Sequence, residues 1–90
     1  MKYKCSCCEY YTLKIMPNDT YEVCPVCFWT ENSFQFKNPD SEKGENGISL
    51  NTARENFKKF GASQEKFMQY SREPVFQEKI GLEEYGERYK

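Results

Sequence analysis

Apolar and polar positions alternate in short stretches in the first forty residues and then change to a spacing of three and four. Residues 10–15, Tyr10-Tyr11-Thr12-Leu13-Lys14-Ile15, are rich in aromatic and β-branched side chains, and residues 21–24, Tyr21-Glu22-Val23-Cys24, alternate. With Pro17-Asn18-Asp19 between them as a turn cluster, these two stretches predict an antiparallel hairpin. Ser33-Phe34-Gln35-Phe36 alternates again and predicts a third strand. Residues 37–47 carry Pro39, Gly44 and Gly47 and no large apolar side chain, which predicts a loop and an internal boundary. After Ser49, an expected helix N-cap, Leu50, Ala53, Phe57 and Phe60 mark one face of an amphipathic helix, and Gly61 is placed to end it. Ser63 is the expected cap of a second, shorter helix through Tyr70, with Phe67 and Tyr70 turned inward and Pro74 beyond its end. The pairs Phe76/Ile80 and Tyr85/Tyr89, interrupted by Gly81 and Gly86, predict a short helix or a tail over 77–90.

The fold expected from this pattern is α+β: a three-stranded antiparallel sheet with a packed helix and a second short helix. The β part covers 1–36, the loop 37–47 and the helical part 49–72, in one domain over 1–76. The aromatic side chains Tyr10, Tyr11, Phe28, Trp29, Phe34 and Phe36 are expected to pack around the turns at the N-terminal end and against the helix.

Composition narrows the chemistry. The chain has 90 residues, 13 Lys+Arg against 14 Asp+Glu, and no histidine. At this length only about 60–65% of the unfolded surface is buried on folding, so a cross-link or metal would help a marginal core. Without histidine there is no Ser-His-Asp triad, no Cys-His pair and no imidazole metal ligand. A balanced charge argues against phosphate-backbone binding. No apolar run reaches the ~20 residues of a membrane span, and no hydrophobic stretch follows the first residues as in a signal peptide.

All five cysteines fall within the first 27 positions: Cys5, Cys7, Cys8, Cys24 and Cys27. Cys5/Cys8 and Cys24/Cys27 form two C-x-x-C pairs with 15 residues between them, a spacing typical of a four-cysteine zinc site. Each such turn aims two sulfurs at one point, and two turns complete a tetrahedron. Pro25 pre-sets φ for the second turn. A disulfide framework and a thioredoxin-like redox motif are the competing readings of the same cysteines. The former wants a secreted chain and an even count, the latter a βαβ setting that residue 5 leaves no room for. Four sulfurs close the coordination sphere, which points to a structural ion, one Zn²⁺, rather than a catalytic one. Iron fits the same four thiolates by geometry. Cys7 is left over: a buried or spectator thiol in the favoured reading, and in the others a residue supporting the ligands from behind, an alternative ligand, or a reactive, regulatory thiol.

The blocks Cys5-Ser6-Cys7-Cys8, Cys24-Pro25-Val26-Cys27-Phe28-Trp29, Asn46-Gly47-Ile48-Ser49-Leu50 and the run from Ala53 to Ala62 together resemble the cysteine-rich CPCC family of small bacterial proteins, over about residues 3–76. The first block departs from the family pattern, with Ser6 where the family has proline and Glu9 where it usually has glycine. Glu9 would find a left-handed backbone harder than glycine does. The family has no established activity. The resemblance implies a cytoplasmic zinc-ribbon protein of bacteria, and its sharpest functional implication is an immunity protein acting beside a toxin. The expected function is therefore a non-enzymatic, zinc-stabilised protein-interaction module. Its contact residues are expected in the 37–47 loop and the tail, at Glu83, Glu84, Tyr85 and Tyr89. The alternatives are a nucleic-acid-associated zinc ribbon, using Lys2, Lys4, Lys14, Lys58 and Lys59, and a thiol redox sensor built on Cys7.

Overall fold

The chain's polar and apolar pattern is resolved into elements by a computed structural model, which describes residues 2–16 and 20–80. Strand β1 (Tyr3–Lys4) pairs antiparallel with β2 (Tyr11–Leu13), Tyr3 opposite Leu13 and Lys4 opposite Tyr11. The tip of this small hairpin is the first C-x-x-C turn. The expected hairpin between 10–15 and 21–24 is thus replaced. Each cysteine turn folds its own flanks together, Cys5 N–H donating to Tyr10 O (2.9 Å) and Cys24 N–H to Trp29 O (3.0 Å). The second turn adds only a single bridge, Val23 to Thr30. Between the two units the Glu22 carboxylate accepts the N–H groups of Lys14 (2.8 Å) and Ile15 (3.1 Å), donors that a neighbouring strand would otherwise have taken. The turn expected at residues 17–19 lies outside the described residues.

The third strand is likewise corrected to a helix. Residues 33–37 form α1 (Ser33–Lys37), started by Asn32, whose backbone is extended and whose side-chain oxygen accepts the Gln35 N–H at 2.8 Å. The alternation Phe34-Gln35-Phe36 misleads because its buried member is the polar one. Gln35 is fully buried, whereas Phe34 and Phe36 are 48% and 58% exposed and do not pack around the cysteine turns.

Helix α2 (Leu50–Phe60) matches the sequence expectation at both ends. Ser49 Oγ accepts the Thr52 N–H (3.0 Å), a cap worth about 1 kcal/mol. Gly61 takes a left-handed φ of 74° and donates to Phe57 O (2.9 Å). Leu50 and Ala53 are buried, and Phe57 is half-buried with its ring edge-on to Tyr10, centroids 6.1 Å apart. The core joins Leu13, Val26, Trp29, Leu50 and Ala53 to all five cysteines. A core so rich in sulfur leaves little aliphatic bulk to hold the chain by itself.

The second helix does not form as expected. Only a 3-10 turn (Glu65–Phe67) is present, and Gln64 rather than Ser63 precedes it, with no side-chain cap. Ser63 is drawn into the core by its backbone: its N–H donates to Cys27 O (2.7 Å) and its carbonyl accepts from Asn56 Nδ2 (2.9 Å). The Ser63 hydroxyl is buried without a partner. Since an unsatisfied buried hydroxyl costs about 1–3 kcal/mol, Ser63→Ala is expected to raise stability by about 1 kcal/mol in denaturant unfolding. Phe67 is half-buried and Tyr70 exposed, yet both rings lie against Phe28, at 5.7 and 6.0 Å.

The Phe76/Ile80 spacing does produce a helix, α3 (Phe76–Ile80), set against β2, but both apolar residues stay exposed and the residue it buries is Glu78. Arg72 grips that carboxylate with two N–H groups at 2.8 and 2.7 Å, and Val75 N–H adds a third bond at 2.9 Å. Arg72 holds the Glu78 carboxyl below its ordinary range, against the opposing pull of burial. A depressed carboxyl stabilises the fold above its unfolded pKa and loses that contribution as pH falls through the folded value. We therefore expect wild-type stability to decline below about pH 4.5 more steeply than that of Arg72→Met, as read from urea midpoints across pH.

Among the described residues no helix is long and apolar enough to cross a membrane. The predicted contact residues Glu83, Glu84, Tyr85 and Tyr89 lie outside the described residues. Two of the lysines considered for nucleic acid are engaged locally: Lys58 sits 3.7 Å from Glu55, and Lys4 stands over the Tyr11 ring at 5.6 Å.

Candidate metal centre

The two C-x-x-C turns are built alike. In the first, Glu9 N–H donates to Cys5 O (2.9 Å) and Cys7 N–H points to Cys5 Sγ (3.4 Å). In the second, Phe28 N–H donates to Cys24 O (2.8 Å) and Val26 N–H points to Cys24 Sγ (3.4 Å). In each turn the residue after the second cysteine is left-handed, Glu9 at φ 66° and Phe28 at φ 67°. Neither has glycine's freedom, and a left-handed backbone costs a side-chain-bearing residue about 1–2 kcal/mol. The sequence expectation about Glu9 is therefore met in its geometry. Glu9→Gly should relieve this, less the added entropy of the unfolded chain, and raise stability by about 0.5–1 kcal/mol in denaturant unfolding.

The turns face one another so that the Sγ atoms of Cys5, Cys8, Cys24 and Cys27 all lie within 4.8 Å. Cys5 and Cys27 are 3.6 Å apart, Cys8 and Cys24 3.8 Å. Sulfurs about 2.3 Å from a tetrahedral ion would stand about 3.8 Å from each other, so the spacing suits such an ion. The disulfide framework is not present: all five cysteines are free. Four buried sulfurs from two turns could hold a metal ion, as the sequence spacing predicts.

The electrostatics of the four sulfurs fit a cation as well. Hydrogen bonds from Cys27, then Cys5 and Cys8, push the Cys24 thiol down, with Thr12 Oγ1 adding a contact at 3.0 Å. The bond to Cys24 is the leading cause that pushes the thiols of Cys5, Cys8 and Cys27 up, reinforced by burial. A cation bound among the four sulfurs would favour ionisation of all of them.

Cys7 lies outside the four-sulfur cluster. It is buried beside Cys27, whose thiol it helps to push up, and its N–H serves Cys5. Its burial outside the cluster fits a buried thiol, and it touches two of the four sulfurs rather than standing apart from them.

Three surrounding residues were not singled out from the sequence. Glu31, 1% exposed, accepts the Ser6 N–H and Ser6 Oγ, both at 2.8 Å. Burial pushes its carboxyl up, against the lowering effect of the Ser6 bonds. A proline in place of Ser6 could not donate that N–H, so the departure from the family pattern at this position has a structural partner. Thr12 reaches Cys24, and Arg54 Nε donates to Ser6 O at 3.0 Å, tying α2 to the first turn. A glutamate standing directly after an aromatic pair and a threonine is the one sequence hint of Glu31, and it does not announce burial.

A search of curated proteins finds no match to the chain. A family model described as cysteine-rich CPCC matches residues 3–78.

Proposed function

We propose, on the premise that the chain belongs to the cysteine-rich CPCC family, that it is a zinc-stapled protein-interaction module without catalytic activity. The observation that carries this reading is the closure of the sulfur cluster. Cys5, Cys24 and Cys27 are 0% exposed and Cys8 9%, so a metal held there would have no open position for water or substrate. Cys5, Cys8, Cys24 and Cys27 would hold the ion, and the ion would supply folding free energy rather than chemistry. The surface is consistent with recognition: Ile15, Met16, Tyr21, Val23, Phe34 and Tyr70 are large, apolar and exposed.

The sharpest form of the proposal is an immunity protein that binds and silences a bacterial toxin. Metal analysis of carefully purified protein tests the first part, with one zinc per chain expected; a metal-free folded protein, or the visible absorbance of an iron–thiolate centre, would overturn it. Co-expression with the protein encoded next to it tests the second. A stable complex and restored growth are expected if that neighbour is a toxin. A toxic neighbour that neither binds nor is neutralised would remove the immunity reading while leaving the metal centre intact.

A further inference from the structure

A cavity of about 490 Å³ opens beside the first cysteine turn, with Cys5 in its lining, and the interaction reading does not use it. Its walls come from the first cysteine turn, the segment 31–32 and three elements. β1 supplies Tyr3 and Lys4, α1 supplies Phe36 and Lys37, and α2 supplies Arg54. The volume lies within the ~300–1,000 Å³ typical of small-molecule sites. Tyr3 and Phe36 give the lining aromatic surface, and Phe36 is 58% exposed.

The polar groups are three cations against two carboxylates. Of the carboxylates, Glu31 is spent on Ser6, and Glu9 stands exposed at the rim. Arg54 is the best placed cation. Its Nε is fixed on Ser6 O at 3.0 Å, which orients the guanidinium, and no ion pair among the described residues uses it. A guanidinium held by one N–H still presents a planar set of terminal donors suited to a carboxylate. Fixing that fork in advance lowers the ordering cost of binding.

We propose that this cavity binds a small organic acid, an aryl carboxylate whose carboxylate is held by Arg54 and whose ring lies against Tyr3 and Phe36. Lys4 and Lys37 add screened attraction at the mouth. The site goes beyond the interaction reading and stands or falls separately from it, because its walls need only the folded protein.

The test is an NMR titration of the zinc-loaded full chain with phenylacetate, and with the neutral phenylacetamide as control. Saturable shifts at Arg54 Nε–Hε and at the rings of Tyr3 and Phe36 are expected with phenylacetate. The amide should bind at least about tenfold more weakly, since it forfeits the charge-assisted bonds. Arg54→Gln should lose binding to the same degree. Lys37→Gln, at the exposed end of α1, should keep the fold and weaken binding a few-fold, an effect that disappears at high salt. No saturable shift up to ~10 mM phenylacetate would overturn the proposal. So would equal affinity for the amide, or unchanged binding by Arg54→Gln. Where Arg54→Gln does not fold, the amide comparison and Lys37→Gln decide.

Discussion

Treatment with a strong metal chelator should unfold this protein rather than soften it. The reasoning rests on the make-up of the core: beside Leu13, Val26, Trp29, Leu50 and Ala53, its buried members are the five cysteines. Zinc binding to cysteine-rich peptides is worth about 10–16 kcal/mol at neutral pH, as much as the whole stability of a typical domain, about 5–15 kcal/mol. Without an ion, four buried sulfurs crowd within 4.8 Å of one another, with the Cys24 thiol pushed down and those of Cys5, Cys8 and Cys27 pushed up. Chelation should therefore abolish cooperative thermal melting and shift Trp29 emission to that of a hydrated indole, because Trp29 is 1% exposed in the fold. Re-addition of zinc should restore both. Cys27→Ser should behave like the chelated protein. A chelated sample that still melts cooperatively, with Trp29 emission unchanged, would show that the core holds the fold without metal.

The second large effect is expected far from the sulfurs, at Gln35. Its Nε2 donates to the carbonyls of Ser41 (3.1 Å) and Ile48 (2.7 Å), and its Oε1 accepts from Asn32 Nδ2 (3.1 Å) and Asn46 Nδ2 (2.8 Å). One buried amide thereby ties the middle of the loop 37–47 to its far end. Asn46 extends the network by taking the Thr30 N–H on Oδ1 (2.8 Å) and giving an N–H to the Thr30 carbonyl (2.9 Å), an imitation of strand pairing. Gln35→Ala strands two carbonyls and two amide donors, each costing about 1–3 kcal/mol if it stays dry. With water reaching part of the gap, a net loss of about 3–5 kcal/mol in denaturant unfolding is expected. Gly44 provides an internal control. It sits at φ 133°, and a Cβ there would stand 2.7 Å from the Gln35 side chain. Gly44→Ala should thus push against the same amide, and the double variant should lose less than the two single losses added. Additive losses would show that Gly44 acts through its backbone alone.

The α2 boundaries, the sulfur set and the left-handed Glu9 were legible because each rests on signals a few residues apart. Ser49 caps Thr52, Gly61 closes on Phe57, and each C-x-x-C turn places two sulfurs through its own backbone bonds. The reading failed where a short alternating run could be satisfied in more than one way. Residues 33–36 alternate as a strand would, but Asn32 caps them as a helix and Gln35 finds four partners inside. Ser63 has the side chain of an N-cap, and its backbone is claimed by Cys27 and Asn56 instead.

By itself the sequence determined which sulfurs converge, where the long helix starts and stops, and how little core remains once the cysteines are set aside. Tertiary structure decided what surrounds that centre. Glu31 meets Ser6 across 25 positions of chain and Arg54 meets it across 48, while Gln35 and Asn46 close the loop across 11. No local pattern encodes such partners. A buried polar side chain is tolerated only where distant donors and acceptors arrive in register, and that register exists only once the chain has folded.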